Sequence, residues 1–140
     1  MNKSIFNFIF MLCSNFVLVD ITTAQTKPLA CQDDAAAGLK WENERWTIKK
    51  FIEQKFILVQ EGNNFKKDSV AKVLGGHPDE IYCKKVSYGP IISCMNETGN
   101  SIYYSFGTLK GGISTLLGSS MADGGYKDTV SVQAFSCTPF

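Results

Sequence analysis

Arginine and histidine are nearly missing from this chain: Arg45 and His77 are the only ones in 140 residues. There is no Cys-x-x-C pair, no G-x-S-x-G elbow and no glycine loop followed by a lysine at P-loop spacing. Each absence excludes a chemistry. A single guanidinium serves bidentate phosphate recognition poorly. A single histidine and no Cys-x-x-C leave a zinc site without its usual ligands and a redox site without its thiol pair. A serine nucleophile in "GGISTLLGSS" would have His77 as its only histidine base. The formal charge of +1 gives neither a basic field for nucleic acid nor an acidic tail. The expectation is therefore no catalytic residue, no metal, no cofactor and no nucleic-acid partner.

A long apolar run is also missing. A spanning helix needs about 20 apolar residues. The run Ile5–Val19 is shorter and is broken by Asn7, Ser14 and Asn15. Lys3 precedes it, and the small residues Thr22, Thr23 and Ala24 follow. This is the layout of a secretory signal peptide, residues 1–24, cut between Ala24 and Gln25. Residues 25–140 would then be one domain with no transmembrane anchor, placed in the periplasm or secreted. The stretch Pro28-Leu29-Ala30-Cys31 loosely matches a lipidation box, but it lies too far beyond the apolar run.

What the chain does have is an even set of cysteines. Cys13 leaves with the signal, and Cys31, Cys83, Cys94 and Cys137 remain. An even count in an exported chain reads as disulfides. In "YCKKVSYGPIISC", Cys83 and Cys94 stand equidistant from the pair Tyr88-Gly89. Gly89 supplies the positive φ of a tight turn, so the two cysteines oppose each other across a hairpin. Opposed non-hydrogen-bonded residues are about 4.5 Å apart at Cα, within disulfide reach. Cys31 then pairs with Cys137.

Trp41 and Trp46 are likewise symmetric about Asn43-Glu44, which predicts a second hairpin with opposed indoles. Strand patterns cover 46–50, 55–61, 80–86, 91–95, 101–106 and 128–137. "KFILVQE" is apolar on both sides and reads as a central strand. "DSVAKVLGG" predicts a helix capped by Asp68 or Ser69, with Val70, Val73 and Leu74 on one face and a stop at Gly75. Ile113, Leu116 and Leu117 before Gly118 repeat that spacing and predict a second short helix. The fold class is mainly β, a β-rich α+β chain: a small antiparallel barrel or sandwich with one or two short helices, stapled by disulfides.

His77, Asp79 and Glu80 read as a helix stop and a proline turn, not an acid–base or metal site. The lysine doublets 49–50, 66–67 and 84–85 read as solvated faces or edge-strand guards. Asn96-Glu97-Thr98 is a glycosylation sequon, relevant in a eukaryotic host. Trp41, Trp46, Tyr82, Tyr88, Tyr103, Tyr104 and Tyr126 exceed the aromatic needs of a small core. Tyr and Trp are favoured at recognition surfaces.

The segments "CQDDAAAGLKW", "KKFIEQKFIL", "IYCKKV", "IISC", "LKGGISTLLGSS" and "KDTVSVQAFSC" together resemble small exported proteins of proteobacteria that have no assigned activity. The resemblance covers most of residues 25–140 and implies a fold but no reaction. A second resemblance is to periplasmic inhibitors of lysozyme, also small disulfide-bonded β-barrels. This chain lacks the short signature with which they enter the lysozyme cleft, so no residue carries over. The expected function is a non-enzymatic envelope or secreted binding module for a protein, glycan or small ligand. Trp41, Trp46 and Tyr103 are its contact candidates. The alternatives are an inhibitor of a hydrolase such as lysozyme, and a hydrolase using two distant carboxylates.

Overall fold

The computed structural model of the protein describes residues 26–116 and 129–140. The expected signal peptide with Cys13 lies outside them, as do Leu117, Gly118 and Tyr126. The chain forms β1 (Thr26–Glu42), β2 (Arg45–Lys50), β3 (Lys55–Glu61), β4 (Asn64–Phe65), helix α1 (Lys67–Leu74) and a 3-10 turn (Pro78–Glu80). Then follow β5 (Tyr82–Lys85), β6 (Ile91–Met95), β7 (Ser101–Ser105), β8 (Lys110–Thr115) and β9 (Thr129–Pro139). All pairings are antiparallel, in the order β4-β3-β1-β9-β8-β7-β6-β5, with β2 on the edge of β1. The sheet curls until β4 comes against β5, a nearly closed barrel.

β1 organises everything else. One edge pairs with β9 along most of its length; the other pairs first with β3 and then with β2. No strand is predicted over 26–40, because Pro28, the Asp33-Asp34 pair, Ala35 to Ala37 and Gly38 are poor strand formers. Partners on both edges override that local preference. A register shift between Asp33 and Ala35 breaks the ladder. Before this bulge Leu29, Cys31 and Asp33 face the interior; after it Ala36 does, so the side-chain phase inverts.

Asp33 caps the junction where β2 hands over to β3. Its N–H donates to the Gln54 carbonyl at 2.9 Å, and its Oδ2 accepts from the Gln54 N–H at 3.0 Å.

Both expected disulfides form, Cys83–Cys94 from the hairpin symmetry and Cys31–Cys137 as the remaining pair. Cys83 lies opposite Cys94 across the β5–β6 hairpin, and Cys31 opposite Cys137 across β1–β9. Both pairs have Cα atoms 4.0 Å apart. The Cys31 sulfur is thus occupied by a disulfide, which removes the lipidation reading. Gly89 carries the hairpin turn at φ +73°. The sulfurs sit in an interior of Leu29, Leu58, Ile81, Ile92, Ile102 and Phe135. Tyr104 belongs to that interior, not to the surface reserve of aromatics. It stacks on Phe135 at 6.0 Å and meets Phe65 and Phe106. Burial pushes its phenol pKa upward.

Helix α1 buries Val70, Ala71 and Leu74 against the barrel and ends at Gly75. Its cap differs from the expectation. Lys66 is the N-cap with no side-chain bond, and Ser69 serves the sheet instead: its Oγ accepts from the Val59 N–H of β3 and donates to the Lys66 carbonyl. β3 is thus covered on both edges, as expected of a central strand. Beyond β1 it meets the two residues of β4 and the start of α1, and Ile57 stays exposed.

The second predicted helix is replaced by β8 over residues 110–115. Gly111 decides this. A β-carbon there would strike the Phe135 ring and the Tyr103 carbonyl, so the bare backbone can lie flat against both neighbours. Ile113 is then buried between Ile102 and Gln133 by strand pairing.

The sequon asparagine is structural. Asn96 is buried, and its Nδ2 donates to the carbonyls of Leu74 and Gly75 at 3.0 and 3.2 Å. Its Oδ1 accepts from Thr98 Oγ1 and the Asn100 N–H. It thus satisfies the orphan end of α1 from the β6–β7 turn. Asn96→Asp keeps the acceptor and removes both donors, facing a buried carboxylate with two carbonyls. Its expected cost is about 2–3 kcal/mol, read from the shift of the urea midpoint against wild type.

Candidate functional site

The bulge has an unusual consequence for the distal half of β1 and its neighbours. The face that continues the barrel interior becomes polar there. Lys40, Glu42, Thr47 and Lys49 share it: Glu42 accepts from Thr47 Oγ1 at 2.9 Å and pairs with Lys49 and, at 3.8 Å, with Lys40. The hydrogen bond from Lys49, then that from Thr47, holds the Glu42 carboxyl below the usual carboxylate range.

The opposite face, which points to solvent, is the apolar one. Register places Ile48, Leu39 and Val130 in one cross-strand row. The next row runs Lys50, Ala37, Val132, Ser114, Ser101 and Met95. The third runs Ala35, Ala134, Gly112, Tyr103 and Ser93, reaching Lys84 of β5. Charge enters these rows only at their ends. Ile48 is 84 % exposed, Val132 58 %, Tyr103 52 % and Met95 45 %. Strand spacing makes the face about 20 Å across and about 14 Å along the strands. That footprint of about 300 Å² is within the range of the largest apolar patch on an ordinary monomer, which is often functional.

All three predicted contact residues lie on this side of the sheet. Trp41 and Trp46 oppose each other one row beyond Leu39–Ile48, edge to face at 5.3 Å between ring centroids. Both are half-buried. Tyr103 joins them through the β1–β9–β8–β7 register, a link no local pattern carries. Sequence reasoning missed Leu39, Ile48, Val130 and Val132. The sequence alternates Val130, Val132 and Ala134 with Thr129, Ser131 and Gln133, but that pattern by itself does not say which side faces solvent.

The other chemistry resolves into structure. His77 caps the 3-10 turn: its Nδ1 accepts from the Asp79 N–H at 3.4 Å, and its own N–H donates to Glu80 Oε2 at 3.0 Å. Ser114 Oγ is bonded to Ser101 Oγ at 2.8 Å. Asp33, the carboxyl set deepest in the barrel, is 1 % exposed and lies opposite Phe135, out of reach of a substrate. Among the described residues no three His, Cys, Asp or Glu side chains gather to hold a metal ion. No described helix is long and apolar enough to cross a membrane. The two disulfides are compatible with an extracellular or periplasmic location.

Compared with protein-family models, curated proteins and solved structures, the chain has no match.

Proposed function

We propose that this is an exported, non-enzymatic binding module that recognises a partner through the outer face of β1, β2, β7, β8 and β9. One observation carries the reading: beyond the bulge Leu39, Ile48, Val130 and Val132 lie on the outer face, while Lys40, Glu42 and Lys49 face the continuation of the interior. That arrangement costs solubility unless the face is covered. The rigid frame of two disulfides limits the ordering entropy that binding must overcome. An inhibitor of a hydrolase is the specialised form of the reading. Tyr88 favours it, 84 % exposed at the tip of the hairpin that Cys83–Cys94 braces.

The test is affinity capture from envelope and secreted fractions, hydrolases included, with the oxidised protein and with Val132→Asp/Tyr103→Asp. Both positions are exposed, so the variant keeps its thermal midpoint within a few degrees. A partner held by wild type and lost by the variant is the expected result. Equal capture by the two proteins refutes the face. Substrate turnover that co-purifies with the protein through every step refutes the non-enzymatic reading.

A further inference from the structure

Among the described residues β2 pairs with β1 alone. The adjacent edge of β3 is closed. There the Val59 N–H donates to Ser69 Oγ at 3.0 Å, its carbonyl accepts from the Lys66 N–H at 2.8 Å, and β4 pairs beyond. No described element gives β2 such cover. The Phe51 N–H donates to the Ala36 carbonyl at 3.2 Å, which sets the bonding phase. Bonding alternates along an antiparallel edge. Residues 45, 47 and 49 therefore bond to β1, while Trp46, Ile48 and Lys50 turn their N–H and C=O groups away from it. The same three residues carry their side chains on the outer face.

We propose that β2 pairs antiparallel with β2 of a second copy of this chain, about a two-fold axis through Ile48. This register alone joins all three outward-turned residues to one another. Ile48 meets its own symmetry mate, and Trp46 meets Lys50 of the second copy on both sides of the axis. The first contact is apolar, and the second sets an ammonium against an indole. On the other face Thr47 lies opposite Lys49, and Arg45 opposite Phe51, so no like charges face directly. Shifting the pairing one way puts Arg45 opposite Lys49; shifting it the other way puts Lys49 on the axis against itself. Like charges in opposed positions destabilise a strand pair. The charge pattern of β2 thus selects one closed, isologous pair. Pairing consumes both free edges, which prevents further strand addition. It also merges the two outer faces across the axis. The proposal holds or fails independently of what that face binds.

Sedimentation equilibrium of the oxidised protein from micromolar to submillimolar concentration tests it. A monomer–dimer equilibrium is expected. Ile48→Pro deletes the N–H on the axis. In the monomer that group faces solvent, where an edge strand tolerates proline, so the circular dichroism spectrum is retained. The dimer dissociation constant rises about tenfold or more. Ile48→Cys, mildly oxidised, yields a disulfide-linked dimer, whereas Thr108→Cys on its exposed turn does not. A wild type that stays monomeric throughout overturns the proposal, whether or not an extended peptide then adds to the same edge. So does a dimer that survives Ile48→Pro with unchanged affinity, or one that Ile48→Cys fails to cross-link.

Discussion

Cys31→Ala/Cys137→Ala loses about 5 kcal/mol of stability, against about 3 kcal/mol for Cys83→Ala/Cys94→Ala. The difference follows from the loops closed. The first bond spans 106 residues and the second 11. A longer closed loop removes more freedom from the unfolded chain. The native geometry does not favour either pair, since both lie directly opposed in antiparallel ladders. Cys31 and Cys137 also sit in the interior beside Phe56 and Phe135, so their loss is not repaired by solvent. Chemical denaturation of the two double variants measures both values. Equal losses would mean that the unfolded chain is already restrained between β1 and β9.

Gly111→Ala is expected to cost about 3 kcal/mol. Its β-carbon would fall against the Phe135 ring and the Tyr103 carbonyl. Neither neighbour has room to yield. Phe135 is 1 % exposed and packed between Phe56 and Tyr104, and Tyr103 is fixed in the ladders on both its sides. Gly112→Ala is the matched control. Its β-carbon faces outward, with the Gln133 carbonyl at 3.3 Å as its nearest contact. It costs less than about 1 kcal/mol. Thermal midpoints of the two variants, measured with both disulfides intact, decide between them. Similar shifts would refute the assignment of Gly111 to the inward face.

These glycines also mark where the sequence could be read and where it could not. The cysteine hairpin was legible because symmetry about Tyr88-Gly89 is local. So was the tryptophan hairpin: Asn43 and Glu44 take the left-handed turn at φ 53° and 60°. The spacing of Val70, Val73 and Leu74 recurs at Ile113, Leu116 and Leu117, yet the first segment is a helix and residues 110–115 are a strand. Spacing over so few positions cannot distinguish the two. The contact that decides, Gly111 against Phe135, is long-range. β1 was illegible beyond its Trp41 end for the same reason. Its alanines and aspartates become a strand only between β3 and β9. The candidate site depends on that hidden strand. Without the bulge at Asp33–Ala35, nothing in the spacing of Leu39 or Ile48 reveals that they point to solvent.

The pairing of β1 with β9 also dictates an order of events in time. β5 to β8 are joined by short turns and carry their own cross-link, so this meander can assemble from contacts close in sequence. β1 cannot be enclosed until β9 has emerged, because β9 alone bridges it to β8. During synthesis the first described strand therefore waits for the last. Until β9 is in place, Cys31 lacks the opposed partner that the ladder gives it. The Cys31–Cys137 bond locks the strand pair that joins the two halves of the sheet, and a mispaired Cys31 would register an interrupted folding reaction.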